Sequence, residues 1–458
     1  MEDERLLVKG RKVVIGDGIV PASIIVKNGK IIDIIYDYNF EMDDSVPVID
    51  GGNLVIMPGI VDSHVHVNEP GRTEWEGYET ATKAAATGGI TTIVDMPLNC
   101  VPVTTSMSAF SIKLKEAADK AFVDVAFWGG VIPGNQSELR PMINAGISGF
   151  KCFLIHSGID EFPKVSEYDL HNAMVQLRRT DSVLLFHAEM DVDDIPSAED
   201  KNPQAYQTFV ESRPDSMELE AVKLVCKLCV HYRVPCHIVH LSSAECLPLI
   251  QVARAQGGPL TCETCHHYLS FDAESIPDKD TSYKCCPPIR SKQNQETLWE
   301  ALKSGIIDLV VSDHSPCTAD LKQLDTGDFM KAWGGISSLQ FGLSSFWTSA
   351  RQRSMTVFDI VRLMCENTAK LAGIHTRKGK ISRGYDADFV IWDPNESFVI
   401  TEEIIQHKNK VTPYMGKRLN GVVHQTIVRG NTVYKNGRVT VKPYGELILK
   451  SRSAKGKL

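Results

Sequence analysis

No run of about 18 consecutive apolar residues occurs anywhere in this 458-residue chain, which excludes a membrane-spanning helix on length alone. The opening MEDERLLVKGRKVV is charged and has no apolar core, so no secretory signal is expected. A dominant charge is missing too. Lys and Arg number 49 against 57 Asp and Glu, and the net −8 is too mild to suggest an acidic tail or a polyanion partner. No Lys/Arg cluster stands clear of acidic neighbours, which argues against a nucleic-acid or membrane surface. The basic stretch 450–458 comes nearest and reads as a frayed, solvated terminus. It ends in Gly456-Lys457-Leu458, with Gly where a peroxisomal tripeptide has Ser, so cytoplasm, peroxisome and mitochondrion all stay open.

Cysteine is present but does not form a disulfide pattern. The 12 cysteines are scattered, several inside apolar strand-like runs, and reduced thiols in an intracellular compartment are expected. Two Cys-x-x-Cys pairs raise the question of structural zinc. Cys226 and Cys229 lie on the apolar stripe of MELEAVKLVCKLCVHY, a helical pattern, and Cys262 and Cys265 lie in LTCETC, a strand pattern. Core thiols account for both.

What the chain does have is alternation. From 58 to 377, strand-like runs at 60–67, 91–96, 123–131, 149–155, 183–188, 235–241, 260–269 and 307–312 alternate with helical patterns. Those helices include 78–87, 109–120, 170–179, 217–232, 244–256, 295–303 and 357–371. Near-continuous apolar strands imply a parallel sheet covered on both faces. Eight such units close a TIM (β/α)8 barrel. Residues 1–57 and 378–445 read differently, as short alternating strands with Asn28-Gly29 and Asn436-Gly437 as hairpin turns. A small β domain assembled from both ends is expected, followed by a basic tail at 446–458.

Six potential metal ligands fall in or at the ends of five predicted strands. His64 and His66 close strand one, and residues two apart on a strand face the same way. Lys151 sits in the otherwise apolar strand four, His187 follows strand five, His240 ends strand six and Asp313 closes strand eight. Taken singly, each has a structural reading: a satisfied histidine, a turn-capping Asp, or a Lys paired with a buried carboxylate. Together they meet at the C-terminal strand ends, which in a TIM barrel form the active-site face. Burial favours the neutral form of Lys151. A neutral amine can take up carbon dioxide as a carbamate whose two oxygens bridge two metals. His64, His66, Asp313 and that carbamate would hold one ion; His187, His240 and the same carbamate would hold the other. Ligands without thiolate suit zinc, with iron, cobalt or manganese as alternatives.

This set, with the split β domain and the segment Gly384-Tyr385-Asp386-Ala387-Asp388, resembles the amidohydrolase superfamily and its cyclic amidohydrolases. These include dihydroorotases, dihydropyrimidinases (hydantoinases) and allantoinases. The resemblance implies a carbamylated Lys151 (N6-carboxylysine) and an Asp313 that is both ligand and proton shuttle. It also implies a homo-oligomer, a tetramer, acting on a small molecule.

The flanking residues resemble the allantoinase branch. Residues 64–75 read HVHVNEPGRTEW, followed by Glu76-Gly77-Tyr78 and Asp95-Met96-Pro97-Leu98-Asn99. Further on come Glu263-Thr264-Cys265-His266-His267-Tyr268-Leu269, Cys286-Pro287-Pro288-Ile289-Arg290 and Gly334-Gly335-Ile336-Ser337-Ser338. Dihydroorotases carry an Arg two residues after the His-x-His pair to grip a carboxylate; Asn68 stands there instead. Hydantoinases have a Tyr soon after the strand-four Lys; here Ile155-His156-Ser157 follows. The resemblance therefore implies hydrolysis of allantoin to allantoate, with Asn99, Asn68 and the backbone around Cys286 as ring-binding groups. His267 and Arg290 stay open between ring binding and structure. The alternatives are a hydantoinase or dihydropyrimidinase, and a non-enzymatic scaffold that has lost its metals.

Overall fold

The computed structural model describes residues 4–193, 195 and 200–450. Its centre is a parallel barrel whose strands are Ile60–Val65, Ile90–Asp95, Asp124–Phe127 continued by Gly129–Gly130, Gly149–Phe153, Val183–His187, Cys236–Ile238, Leu260–Cys265 and Leu309–Val311. Nearly every residue in these strands is buried, as expected of a sheet lined inside by its own side chains and covered outside by helices. Strand eight closes onto strand one through the parallel bridge of Val65 with His314 and the bond from the His66 N–H to the His314 carbonyl at 2.8 Å.

Strand three differs from the continuous run read from the sequence. It breaks at Trp128, whose indole Nε1 crosses the barrel to donate to the Ser63 carbonyl at 2.8 Å. The glycines that follow leave room for two aromatic rings: a Cβ on Gly129 would lie 2.8 Å from Phe150, and one on Gly130 would lie 2.4 Å from Phe162. Strand seven is shorter than 260–269. It ends at Cys265 and turns directly into a helix, His266–Ser270, whose first four residues are all buried. The last helical run, 357–371, is also not uniform: a π-turn over Val361–Glu366 separates two short α-helices.

Beside the barrel lies a separate β domain, a nine-stranded sheet. Val55–Pro58 pairs with Arg5–Ile15 on one side and Phe389–Val399 on the other, so strands from both ends of the chain share one sheet. Both Asn-Gly turns are present: Asn28 and Gly29 have φ of 48° and 74°, Asn436 and Gly437 of 45° and 85°. Two successive positive φ values are what a type I′ hairpin requires. Val8, Ile24, Ile56, Phe389 and Ile427 form the domain's own core.

Lys378 joins sheet to barrel. Its buried Nζ lies 2.5 Å from Asp124 at the start of strand three, and 2.9 and 2.6 Å from Asp386 and Asp388. Residues past the sheet return to the barrel: Ile448 is buried, its N–H donates to the Val125 carbonyl at 2.8 Å, and the Lys450 N–H bonds Gly146. Lys450, read from the sequence as part of a solvated terminus, is therefore tied down by backbone pairing. Residues 451–458, including Gly456-Lys457-Leu458, lie outside the described residues. Among the described residues no helix is long and apolar enough to cross a membrane, and all 12 cysteines are unpaired thiols.

Candidate metal centre

The barrel brings all six predicted ligands together at the C-terminal strand ends. His64 lies within strand one and His66 just beyond it, Lys151 within strand four, and His187 at the end of strand five. His240 and Asp313 each sit two residues past their strands, in left-handed backbone at φ 37° and 44°. Such backbone strain in non-glycine residues concentrates at functional sites. His64 Nε2 is 3.1 Å from both Lys151 Nζ and Asp313 Oδ1, and His66 Nε2 is 3.5 Å from the same oxygen. On the far side His187 Nδ1 and His240 Nε2 face each other at 3.0 Å. None of the six is more than 7% exposed.

Two carboxylates that sequence reasoning did not single out hold these imidazoles. Glu263 Oε1 lies 2.5 Å from His64 Nδ1, its Oε2 is 3.0 Å from His237 Nε2, and it accepts the His240 N–H at 3.3 Å. With Nδ1 turned to Glu263, Nε2 is the His64 nitrogen that faces Lys151 and Asp313. Glu189 does the same for His187, accepting from Nε2 at 2.6 Å while Arg213 grips it with two bonds of 2.9 and 2.6 Å. The signal that could have found Glu263 is the one that found Lys151: a charged residue on the inward face of an apolar strand. Asp62 is a third such group, accepting the N–H of His64 at 3.1 Å and that of Ser312.

Burial drives the electrostatics. It brings the Lys151 amine down to about 8 despite Asp313 and Glu263, and His66 down to about 3 against Asp313. It also pushes Asp62 up to about 6. For Asp313 burial favours the acid, but His64, His66 and His240 outweigh it and hold the carboxyl well below its usual range. Burial likewise lowers His187 and His240 below the usual imidazole range.

The residues fit a divalent ion. His64, His240 and Asp313 offer one ligand atom each within 4.8 Å of one another. His240 Nδ1 is buried without a partner among the described residues. The nitrogens that meet here, Lys151 against His64 at 3.1 Å and His187 against His240 at 3.0 Å, are with Asp313 a good donor set for a cation.

The expected ring-binding residues divide. Asn99 is at the centre, its Nδ2 3.3 Å from His66 Nδ1. Its Oδ1 is buried and unpaired, so a turned amide would accept from His66 Nδ1–H and free Nε2. Asn68 donates to the Pro316 carbonyl at 3.2 Å, beside the Asp313 loop, and keeps an unpaired Oδ1. Both asparagines have positive φ, 67° and 66°. Cys286 is half-buried and stands further out, next to Gly334, where an added Cβ would lie 2.8 Å from its Sγ. Arg290 is structural: it is buried against Glu218 at 2.7 Å and Asp215 at 3.1 Å.

Residues 55–433 match the pattern of the Amidohydrolase family. The chain is 56% identical over 368 residues to the mitochondrial allantoinase of Aquarana catesbeiana, spanning 80% of this chain and 76% of that one. It is 45% identical to the allantoinase of Streptomyces avermitilis, over 98% of this chain and 99% of that one. Among solved structures, L-hydantoinase (dihydropyrimidinase) from Arthrobacter aurescens superposes with a TM-score of 0.91 at 31% identity, over 97% of this chain and 99% of that one. Likeness of sequence and of architecture runs through the barrel and the β domain alike: the chain belongs to the amidohydrolase family.

Proposed function

We propose that this chain hydrolyses the cyclic amide of allantoin to allantoate, using two divalent ions held at the barrel mouth. The observation that carries the reading is the meeting of four imidazoles, Lys151 and Asp313, brought by five strands to one face of the barrel. The allantoinase relatives supply the substrate. Neutral Asn68, standing where dihydroorotases have a carboxylate-gripping Arg, fits a ring of amide N–H and C=O groups.

His64, His66 and Asp313 would hold one ion, His187 and His240 the other, with a carbamate on Lys151 (N6-carboxylysine) shared between them. Bound divalent ions supply Lewis acidity, lowering the pKa of water and polarising an amide carbonyl. Zinc suits the ligand set; iron, cobalt and manganese are alternatives. Asp313 takes the proton of the attacking water and delivers it to the departing ring nitrogen. It is ionised before the step and so has a vacant oxygen for the proton. Glu263 and Glu189 fix the imidazole tautomers so that lone pairs face inward. Asn68 brings an unpaired amide oxygen and Asn99 the amide group beside His66 for contacts with the ring, and the backbone around Cys286 lines the outer wall.

The catalytic unit in this reading is 58–377, with 1–57 and 378–445 as the β domain and 446–458 as a tail. The acting form is a homo-oligomer, a tetramer by family resemblance, in an intracellular compartment that suits unpaired thiols. A hydantoinase reading keeps the same site with another ring. A scaffold reading is disfavoured by the full ligand set. The test is a panel of allantoin, hydantoin, dihydrouracil and dihydroorotate on metal-loaded protein. Allantoin should lead by a wide margin, and a chain without stoichiometric metal or turnover would be the scaffold.

A further inference from the structure

Among the described residues, His267 alone has an imidazole with both nitrogens buried and unpartnered. It is the second residue of helix His266–Ser270 and is 0% exposed. Cys265, at the end of strand seven, is equally buried. Cys265 Sγ, a His267 ring nitrogen and an Asp313 carboxylate oxygen all lie within 4.8 Å of one another. The other acidic cluster of comparable burial, Asp124 with Asp386 and Asp388, already holds the Lys378 ammonium at its centre. At Cys265 and His267 no cationic side chain makes an ion pair among the described residues. The buried Lys322 Nζ is turned onto the Lys284, Trp333 and Gly335 carbonyls, and the Lys151 Nζ faces His64.

We propose that Cys265, His267 and Asp313 form a further site for one thiophilic divalent cation, such as zinc or cadmium, whose occupation inhibits turnover. Thiolate, imidazole and carboxylate are a zinc-type donor set, and three protein ligands leave a fourth position for water. Such an ion takes donor distances of about 2.0–2.3 Å from sulfur and nitrogen ligands. Binding releases the Cys265 proton to solvent. An ion here engages the carboxylate of Asp313 and withdraws it from proton transfer, so excess metal inhibits the enzyme it also activates. The inhibitory half of the proposal rests on the proton-carrying role of Asp313; the binding half does not.

The experiment titrates cadmium chloride into the enzyme carrying its resident ions. Thiolate-to-cadmium charge-transfer absorption, total metal content and allantoin hydrolysis are followed on the same samples. One equivalent should bind beyond the resident ions, with the absorption rising and activity falling in step. Cys265→Ser should lose the absorption. His267→Gln should weaken binding and shift inhibition to much higher cadmium, each rate being compared with that variant's own cadmium-free rate. Cys286→Ser, which removes the most accessible thiol, should keep the absorption. Absorption surviving in Cys265→Ser, or inhibition that tracks loss of resident ions, overturns the site. A further equivalent bound through Cys265 with undiminished turnover overturns the inhibitory role. Should allantoin not be the substrate, the absorption and metal count still report on the site, so the two failures are distinguishable. If Cys265→Ser does not fold, His267→Gln carries the test.

Discussion

His64 and Glu263 stand 199 residues apart in the chain and 2.5 Å apart across the barrel. That one contact sets which nitrogen of His64 is free. Burial favours a neutral carboxyl at Glu263, but His64 and His237 outweigh it and hold it ionised, down to about 2.

Glu263→Gln should therefore weaken binding of the ion that His64 holds by about 10–100-fold, the usual effect of losing an outer-sphere carboxylate. Chelator competition on each ion separately checks it. Unchanged affinity for both ions would mean His64 needs no such partner.

Lys151→Ala should lose activity and at least one ion, because both ions depend on the proposed carbamate. Short-chain carboxylic acids added to the variant should restore part of the rate by supplying a bridging carboxylate. Two ions and full turnover in this variant would remove Lys151 from the centre.

Asp313→Asn should abolish turnover while leaving much of the metal in place. The amide offers an oxygen ligand but cannot accept a proton near neutral pH. Metal analysis beside single-turnover rates separates the two effects, and a wild-type rate would send the proton elsewhere.

Dihydroorotate should be at least ~100-fold poorer than allantoin in kcat/KM, since Asn68 leaves its carboxylate buried and unpaired. Asn68→Arg should lower allantoin turnover by placing a cation beside a neutral ring. Equal wild-type values for the two substrates would sink this account of specificity while sparing the metal centre.

Lys378→Met should destabilise the protein by about 3–5 kcal/mol at neutral pH, because it leaves buried carboxylates without their central cation. Burial opposes the Lys378 charge, but Asp124, Asp388 and Asp386 raise its pKa above the usual 10.5. That stabilisation is present below the unfolded pKa and is lost as pH rises through the higher folded value. For Asp386, burial acts upward but Lys378 and its other partners bring it from 3.8 down to about 2. Its contribution is present above the unfolded value and lost as pH falls toward 2. The deficit of the variant should be widest between these limits, as read by urea unfolding at several pH values. A deficit that does not change with pH would point to packing instead.

Much of this site was legible because its ligands obey strand geometry. His64-Val65-His66 shows the two-residue period, and Lys151 is conspicuous as the one charge in Gly149–Phe153. The hairpins were legible because Asn-Gly tolerates the positive φ that Asn28 and Asn436 adopt. Glu263 and Glu189 were harder to see, since their meaning depends on partners on other elements: His64 for one, Arg213 for the other. The end of strand seven at Cys265 was hidden for a related reason. Tyr268 and Leu269 fit an apolar strand as readily as a helix, and only packing against the barrel decides between them. The break at Trp128 likewise follows from a bond to Ser63 that no local pattern announces.

The pairing of Val55–Pro58 with Phe389–Val399 has a consequence for how the molecule is made. During synthesis the first strands leave the ribosome more than 300 residues before their sheet partners. The barrel can close in that interval, but the sheet cannot, because its central ladder awaits the far end of the chain. A nascent chain interrupted before Phe389 would carry an unpaired apolar edge at Val55–Pro58, open to pairing with other chains.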